Sequence, residues 1–478
     1  MSSFLVIYYC IILPQLARSA YNKFDNYTIY EVTAFNARER ALLYYLHVRS
    51  ETIVFINGIT NEAAIPMDVM VDACCTTYFE EKLRDNDIEY FKINKGILVE
   101  RIEDFNIKQD IKYAKVPNIT TEFHSWETLK LWVELKLKKF PILRKIKIAE
   151  TYEKREIFAL KISTGRKNSA LFLMGGEDGK DWLSPAILIN FVDYVLEHKL
   201  NVDLLIKHYD IYVLPIFNPD GYSYSTTKQW SWSRNRKIYF PKKICPNNTA
   251  TIGINIDRNW YFSKDIIRNE ECHPVYSGSK AVSEDETLGL AKFLDSIALQ
   301  MLAFINLRGF EKLITIPYGY STEYCNNYPV LLDILSSVHD RVKEEHGKSF
   351  FYGTTSAYYY NFSGNVADWV KKKLNTPIVY TFYMKNAHYI LPSATDILPL
   401  TDQFSTMMKE ILLLARSIYS PLFNNKMMHL IQTIVIIANI VIPLTIKSIY
   451  VYCGVYGIVL KQKIKALHYL EKEVCSNN

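Results

Sequence analysis

The chain has 478 residues, 49% of them apolar, with 56 basic against 50 acidic side chains. That length allows two globular domains with filled cores plus terminal extensions. A formal charge of +6 without any basic block leaves nucleic acid no electrostatic footprint to bind.

Residues 1–19 read as a secretory signal peptide, with an apolar run from Phe4 to Leu13 and a cleavage site at Ala17-Arg18-Ser19. Glycosylation sequons at Asn26, Asn118, Asn247 and Asn361 fit entry into the secretory pathway. Residues 20–112 then carry a strand (Tyr27 to Ala34), a helix (Ala37 to Val48), two strands (Thr52 to Asn57, Ala64 to Ala73), an amphipathic helix (Thr76 to Asn86) and a strand (Glu89 to Ile93). This order suits a ferredoxin-like α/β sandwich followed by a connector.

Residues 113–421 alternate strands and helices, which predicts an α/β domain with a mixed, mainly parallel sheet and helices on both faces. Its first helix is expected over Trp126 to Leu137 and its last over Asp402 to Ser417. His124 and Glu127 have the spacing of a metal-binding pair, but Ser125 between them reads as the N-cap of the first helix, with no third ligand in view. Cys74 and Cys75 are adjacent and expected to be free, and Cys325 has no evident partner. Met427 to Ile446 has no charged side chain except His429 and is long enough to cross a bilayer as a helix. Lys447, Lys461, Lys463, Lys465 and Lys472 follow it, so residues 447–478 are expected in the cytoplasm, giving a single-pass type I protein with its globular part outside. The polar C-terminus does not suit a lipid-anchor signal.

The chemistry centres on Leu171 to Pro185, L-F-L-M-G-G-E-D-G-K-D-W-L-S-P. An apolar strand breaks into a loop and enters a helix, the usual place for a ligand at the edge of an α/β sheet. The loop holds Glu177, Asp178, Lys180 and Asp181, four charges in five residues.

Four stretches follow in order: I-F-N-P-D-G-Y (Ile216 to Tyr222), G-I-N-I-D-R-N-W (Gly253 to Trp260), I-P-Y-G-Y (Ile316 to Tyr320) and Y-N-F-S-G-N-V-A-D-W (Tyr360 to Trp369). With the loop, they resemble the carboxypeptidase A/B family of zinc metallocarboxypeptidases. The resemblance implies a zinc-carboxypeptidase-like fold and makes the first domain similar to that family's propeptide domain, with Arg101, Lys108, Lys112 and Lys115 as candidate cut sites in the connector. It also implies a disulfide between Cys245 and Cys272, which an oxidising compartment permits.

Carried over residue by residue, the resemblance places the family's zinc ligands on Asp178, Asp181 and Arg308. A guanidinium has no lone pair to give a metal and is always charged. No zinc or other cofactor is therefore expected, and Arg308 is expected to face the two aspartates as the local cation. The general-base position falls on Tyr383, a phenol with an ordinary pKa of ~10, and the oxyanion-arginine position falls on Ser233. Arg234, one residue on, is either a substitute for that arginine or a solvated surface residue. The substrate-side positions are better kept. Arg258 matches the arginine for a peptide's terminal carboxylate, Tyr360 the mobile tyrosine and Lys180 another substrate-side cation. Asp257 would repel a carboxylate or pair with Arg258, and Ala367 suggests a pocket for apolar or aromatic side chains.

The expected function is a membrane-anchored pseudo-carboxypeptidase whose cleft takes peptide C-termini or a protein partner. The alternative is a working zinc exopeptidase in which Asp178 and Asp181 hold the metal and Arg308 swings aside. A weaker third reading is an adhesion protein with a vestigial cleft.

Overall fold

A computed structural model describes residues 27–93 and 119–419, apart from 50–52, 56–63, 166–167, 198–206, 230–231, 239–251, 261–275, 310–311, 359–362 and 385–393. The chain divides into compact units at Met1–Leu413 and Leu414–Asn478, and only 414–419 of the second are described. The expected signal peptide, connector, membrane helix and tail lie outside the described residues. No described helix is long and apolar enough to cross a membrane.

The first sheet contains β1 (Tyr27–Thr33), β2 (Ile53–Phe55), β3 (Pro66–Asp72) and β4 (Glu89–Ile93), in the order β2-β3-β1-β4 and antiparallel throughout. Helix α1 (Ala37–Arg49) follows β1 and α2 (Thr76–Arg84) follows β3, which is the ferredoxin-like order expected from the sequence. Period-two alternation sends Tyr30 and Val32 of β1 and Val69 and Val71 of β3 into one core, where Phe79 and Leu83 of α2 meet them. Phe79 and Leu83 lie four residues apart, one above the other on a helix face. Each large apolar side chain buried this fully contributes about 1.5–3 kcal/mol.

The second sheet has eight strands: β5 (Leu143–Glu150), β6 (Glu156–Ile162), β7 (Ser169–Met174), β8 (Tyr209–Leu214), β9 (Met301–Arg308), β10 (Leu313–Ile316), β11 (Phe351–Thr354) and β12 (Ile378–Tyr383). Their order is β11-β10-β12-β9-β7-β8-β6-β5. The central pairs β12-β9, β9-β7 and β7-β8 are parallel, as is β10-β11, while β10-β12, β8-β6 and β6-β5 are antiparallel. Parallel strands buried on both faces need continuous apolar sequence, and β7, Ser-Ala-Leu-Phe-Leu-Met, supplies it. One face packs Phe172, Phe304 and Val379 against Leu290 and Leu294 of α6 (Asp285–Ile297) and Val366 and Val370 of α8 (Val366–Lys373). On the other, Phe404 of α9 (Ile397–Tyr419) touches Phe382 of β12 and Phe191 of α4 (Leu183–Glu197).

Helix boundaries follow local chemistry. The first helix of this domain, α3 (Trp126–Lys139), begins where Ser125 accepts the Thr128 N–H at 3.2 Å, and it buries Trp126, Leu129, Trp132 and Val133 along one stripe. Helix α7 (Tyr328–His346) stops at Gly347, whose φ of 60° is the left-handed closure that glycine adopts without strain. The last helix starts at Ile397 instead of the expected Asp402. Pro399 falls in its first turn, where no backbone N–H has an intrahelical acceptor, so the proline does not delay the helix.

Candidate functional site

The motif residues converge at the carboxyl ends of β7, β8, β9 and β12. The loop leaving β7 is stitched to the one leaving β8. Gly175 N–H donates to Leu214 O at 3.0 Å, Phe217 N–H to Gly175 O at 3.0 Å and Asn218 N–H to Gly176 O at 2.8 Å. Asn218 caps α5 (Pro219–Thr227) through Oδ1, which accepts from Gly221 N–H at 2.9 Å, while its Nδ2 donates to the carbonyls of Glu177, Ser233 and Arg234. Gly179 N–H donates to Ser233 O at 2.9 Å, and a Cβ at 179 would come within 2.7 Å of the Gly221 carbonyl carbon. Only glycine lets these three backbones meet.

A chain of charges crosses the resulting space. Asn306 and Arg308 lie two apart on β9 and share a face. Asn306 Nδ2 and Arg308 Nη1 both donate to Glu177 Oε2 at 3.0 Å. Arg308 Nη1 also lies 3.2 Å from Asp257 Oδ2, the oxygen that Arg258 Nη1 grips from its own side. Asp257 and Arg258 sit on a 3-10 turn, Ile256–Arg258, pinned by Asn259, which donates to the Ser277 and Lys280 carbonyls. The side chains are 1% exposed at Glu177, 13% at Arg308 and Asp257, and 20% at Arg258, so the outer half of the lattice is within reach of a ligand. Burial opposes the Arg308 charge, but Asp257 and Glu177 outweigh it and hold the guanidinium well above its ordinary value. Burial first, and then the Asp257 charge, push Glu177 up against the pull of Arg308 and Asn306.

These partners correct the expectation that Arg308 faces Asp178 and Asp181. Asp181 turns back onto its own helix, with Oδ1 accepting from Ser184 N–H at 3.0 Å and Oδ2 from the Ser184 hydroxyl at 2.7 Å and Gly309 N–H at 3.0 Å. It acts as the cap of α4, the natural use of a carboxylate one methylene shorter than glutamate. Asp178 closes a turn by accepting Lys180 N–H at 3.1 Å. Burial pushes it up to about 6, opposed by Lys180 and Arg308. Arg308 therefore acts on Asp178 and Asp181 through its field and pairs with Glu177 and Asp257.

The other expected positions fall around this lattice. Tyr383 ends β12 in register with Arg308, and Ser233 contributes its carbonyl to the loop. The Arg234 guanidinium lies over the Trp232 ring, 5.0 Å from its centroid, and is partly buried. Lys180 is half-buried on the loop. Ala367 is 2% exposed and packs in the core beside Val366 and Val370. Tyr360, Cys245, Cys272 and the four sequon asparagines lie outside the described residues; Cys325 is an unbridged, buried thiol. His124 is buried, its carbonyl accepting the Tyr222 hydroxyl at 2.7 Å, whereas Glu127 is exposed. Sequence reasoning named Glu177 without giving it a role and gave none to Asn306 or Asp368. An acid beside Gly-Gly and an amide inside an apolar strand were the available signals for the first two. Asp368 accepts from the Gly319 and Tyr320 N–H groups and thereby joins two motif stretches.

A zinc ion needs three or four lone-pair donors converging on one point. Here Asp181 has both oxygens engaged and Arg308 has no lone pair, so this donor set does not fit zinc. Among the described residues no group of three His, Cys, Asp or Glu side chains is placed to hold a metal ion.

Comparison with known proteins places the fold. Residues 129–406 match the family model described as zinc carboxypeptidase. The chain is 25% identical over 367 residues to zinc carboxypeptidase A 1 of Anopheles gambiae, covering 76% of this chain and 82% of that one. It is 27% identical over 363 residues to mast cell carboxypeptidase A of Homo sapiens, covering 73% and 83%. Among solved structures, the carboxypeptidase A of Helicoverpa armigera superposes with a TM-score of 0.69 at 17% identity, covering 82% of this chain and 98% of that one. Thrombin activatable fibrinolysis inhibitor gives 0.68 at 21% identity, covering 81% and 98%. With the family model spanning more than half of its length, the chain belongs to the zinc carboxypeptidase family.

Proposed function

We propose that this chain is a non-hydrolytic member of the family, held at a membrane, whose cleft takes up peptide C-terminal ends or a protein partner. The observation that carries the reading is the pairing of Arg308 with Glu177 and Asp257, at the position where the family resemblance would have a metal ligand. A fixed cation there repels a dication, and at ε of about 20 two unit charges 4 Å apart already interact by about 4 kcal/mol. Tyr383 and Ser233 support the same reading. A phenol does not activate water near neutrality, and a serine hydroxyl does not supply the charge of an oxyanion arginine.

Residues 427–446 support membrane attachment by their length and apolar content, and the lysines after them support a cytoplasmic tail. The ferredoxin-like sheet of residues 27–93 supports a propeptide-like role for the first domain. The test is zinc content per molecule in the full-length chain after dialysis against trace zinc, with hydrolysis of C-terminal apolar or aromatic residues assayed alongside. Near-zero zinc and no hydrolysis is the expected result. Stoichiometric zinc with hydrolysis would overturn the reading in favour of a working exopeptidase.

A further inference from the structure

We propose that the cleft selects chain ends that carry no negative charge, the α-carboxamide first among them, over free carboxylates. This rests on the peptide-end reading above and names the class of end.

The lattice already contains the carboxylate that a ligand would bring. Asp257 Oδ2 holds Arg258 Nη1 on one side and stands 3.2 Å from Arg308 Nη1 on the other, and Arg258 Nη1 also donates to the Asp257 carbonyl at 3.0 Å. A free carboxylate arriving at Arg258 must displace Asp257 or lie against it. Like-charge juxtaposition is the usual way a site rejects a near-isosteric competitor.

A carboxamide meets the same groups differently. Its carbonyl accepts from a guanidinium N–H, its NH2 donates to the Asp257 carboxylate, and it brings no charge. The polar atoms left over next to Arg308 point the same way. Glu177 Oε1 and Asn306 Oδ1 are buried acceptors with no hydrogen-bond partner, so the neighbourhood is short of donors, which a carboxylate lacks. Asp257 and Arg258, at 13% and 20% exposure, remain reachable.

The test is calorimetric titration of the full-length chain at neutral pH with one hexapeptide ending in phenylalanine, supplied as the free acid and as the carboxamide. The expected result is that the amide binds at least about tenfold more tightly. Equal affinity, or preference for the acid, overturns this proposal and leaves peptide-end binding standing. Binding of neither overturns both. Asp257→Asn releases Arg258 from its internal counter-ion and should raise affinity for the free acid about tenfold or more, narrowing or inverting the preference. An unchanged preference in a folded Asp257→Asn chain also counts against the proposal. If that variant does not fold, the comparison on the natural chain decides alone.

Discussion

The lattice around Arg308 and the anchor around Asp368 each centre on a buried carboxylate, Glu177 and Asp368, yet the partners differ in kind. Asp368 accepts from backbone N–H groups of Gly319 and Tyr320 and helps fix where the I-P-Y-G-Y stretch runs. Glu177 and Asp257 bind the side chains of Arg308 and Arg258, so their arrangement depends on what those positions carry. Side chains that tie down backbone preserve the fold whatever chemistry the cleft performs. Side chains that bind one another can be exchanged as a set, and with them the chemistry.

The sharpest way to break this comparison is Arg308→Ala, which leaves the buried Glu177 without its cation and Asp257 with Arg258 alone. A loss of about 3–5 kcal/mol in urea unfolding is expected, and a variant as stable as the natural chain would show that the lattice is not held by that arginine. Asp368→Ala should cost about 2–3 kcal/mol, because the Gly319 and Tyr320 N–H groups lose their acceptor. Unlike Arg308→Ala, it should leave hydrogen exchange in the lattice unchanged and raise exchange at Gly319 and Tyr320.

The third prediction concerns a carboxyl that belongs to neither cluster, and it reads a pH slope in place of a single loss. Burial, helped by Glu284 and Asp220, pushes Glu286 up to about 8. Its folded-state value lies above its unfolded one, so the folded chain binds the extra proton between the two. Stability from this group is complete below the ordinary carboxylate range and is lost as pH rises through about 8. Glu286→Gln should flatten the fall in urea midpoint between about pH 5 and pH 8, and an unaltered slope would assign that dependence to other groups.

Much of the fold was legible because its determinants are local. The apolar run of β7, the Ser125 cap and the period-two pattern of β1 and β3 each depend on neighbours in sequence. The positions of Asp178, Asp181 and Arg308 were legible as well, through motif spacing. What Arg308 binds was not, because Glu177 and Asp257 lie 131 and 51 residues away from it along the chain. Nothing local distinguishes an aspartate that faces a cleft from one that caps the helix following it, and Asp181 does the second.

That cap reaches beyond stability. Both Asp181 oxygens are committed to Ser184 and Gly309, and Gly309 directly follows Arg308. Exchanging Arg308 for histidine would leave this carboxylate locked and Glu177 without its cation; exchanging Asp181 for glutamate alone would uncap α4 while the guanidinium stayed in place. Each exchange alone disturbs hydrogen bonds that the other leaves in place, so positions 181 and 308 are coupled through Gly309, whose N–H holds Asp181 directly beside the guanidinium.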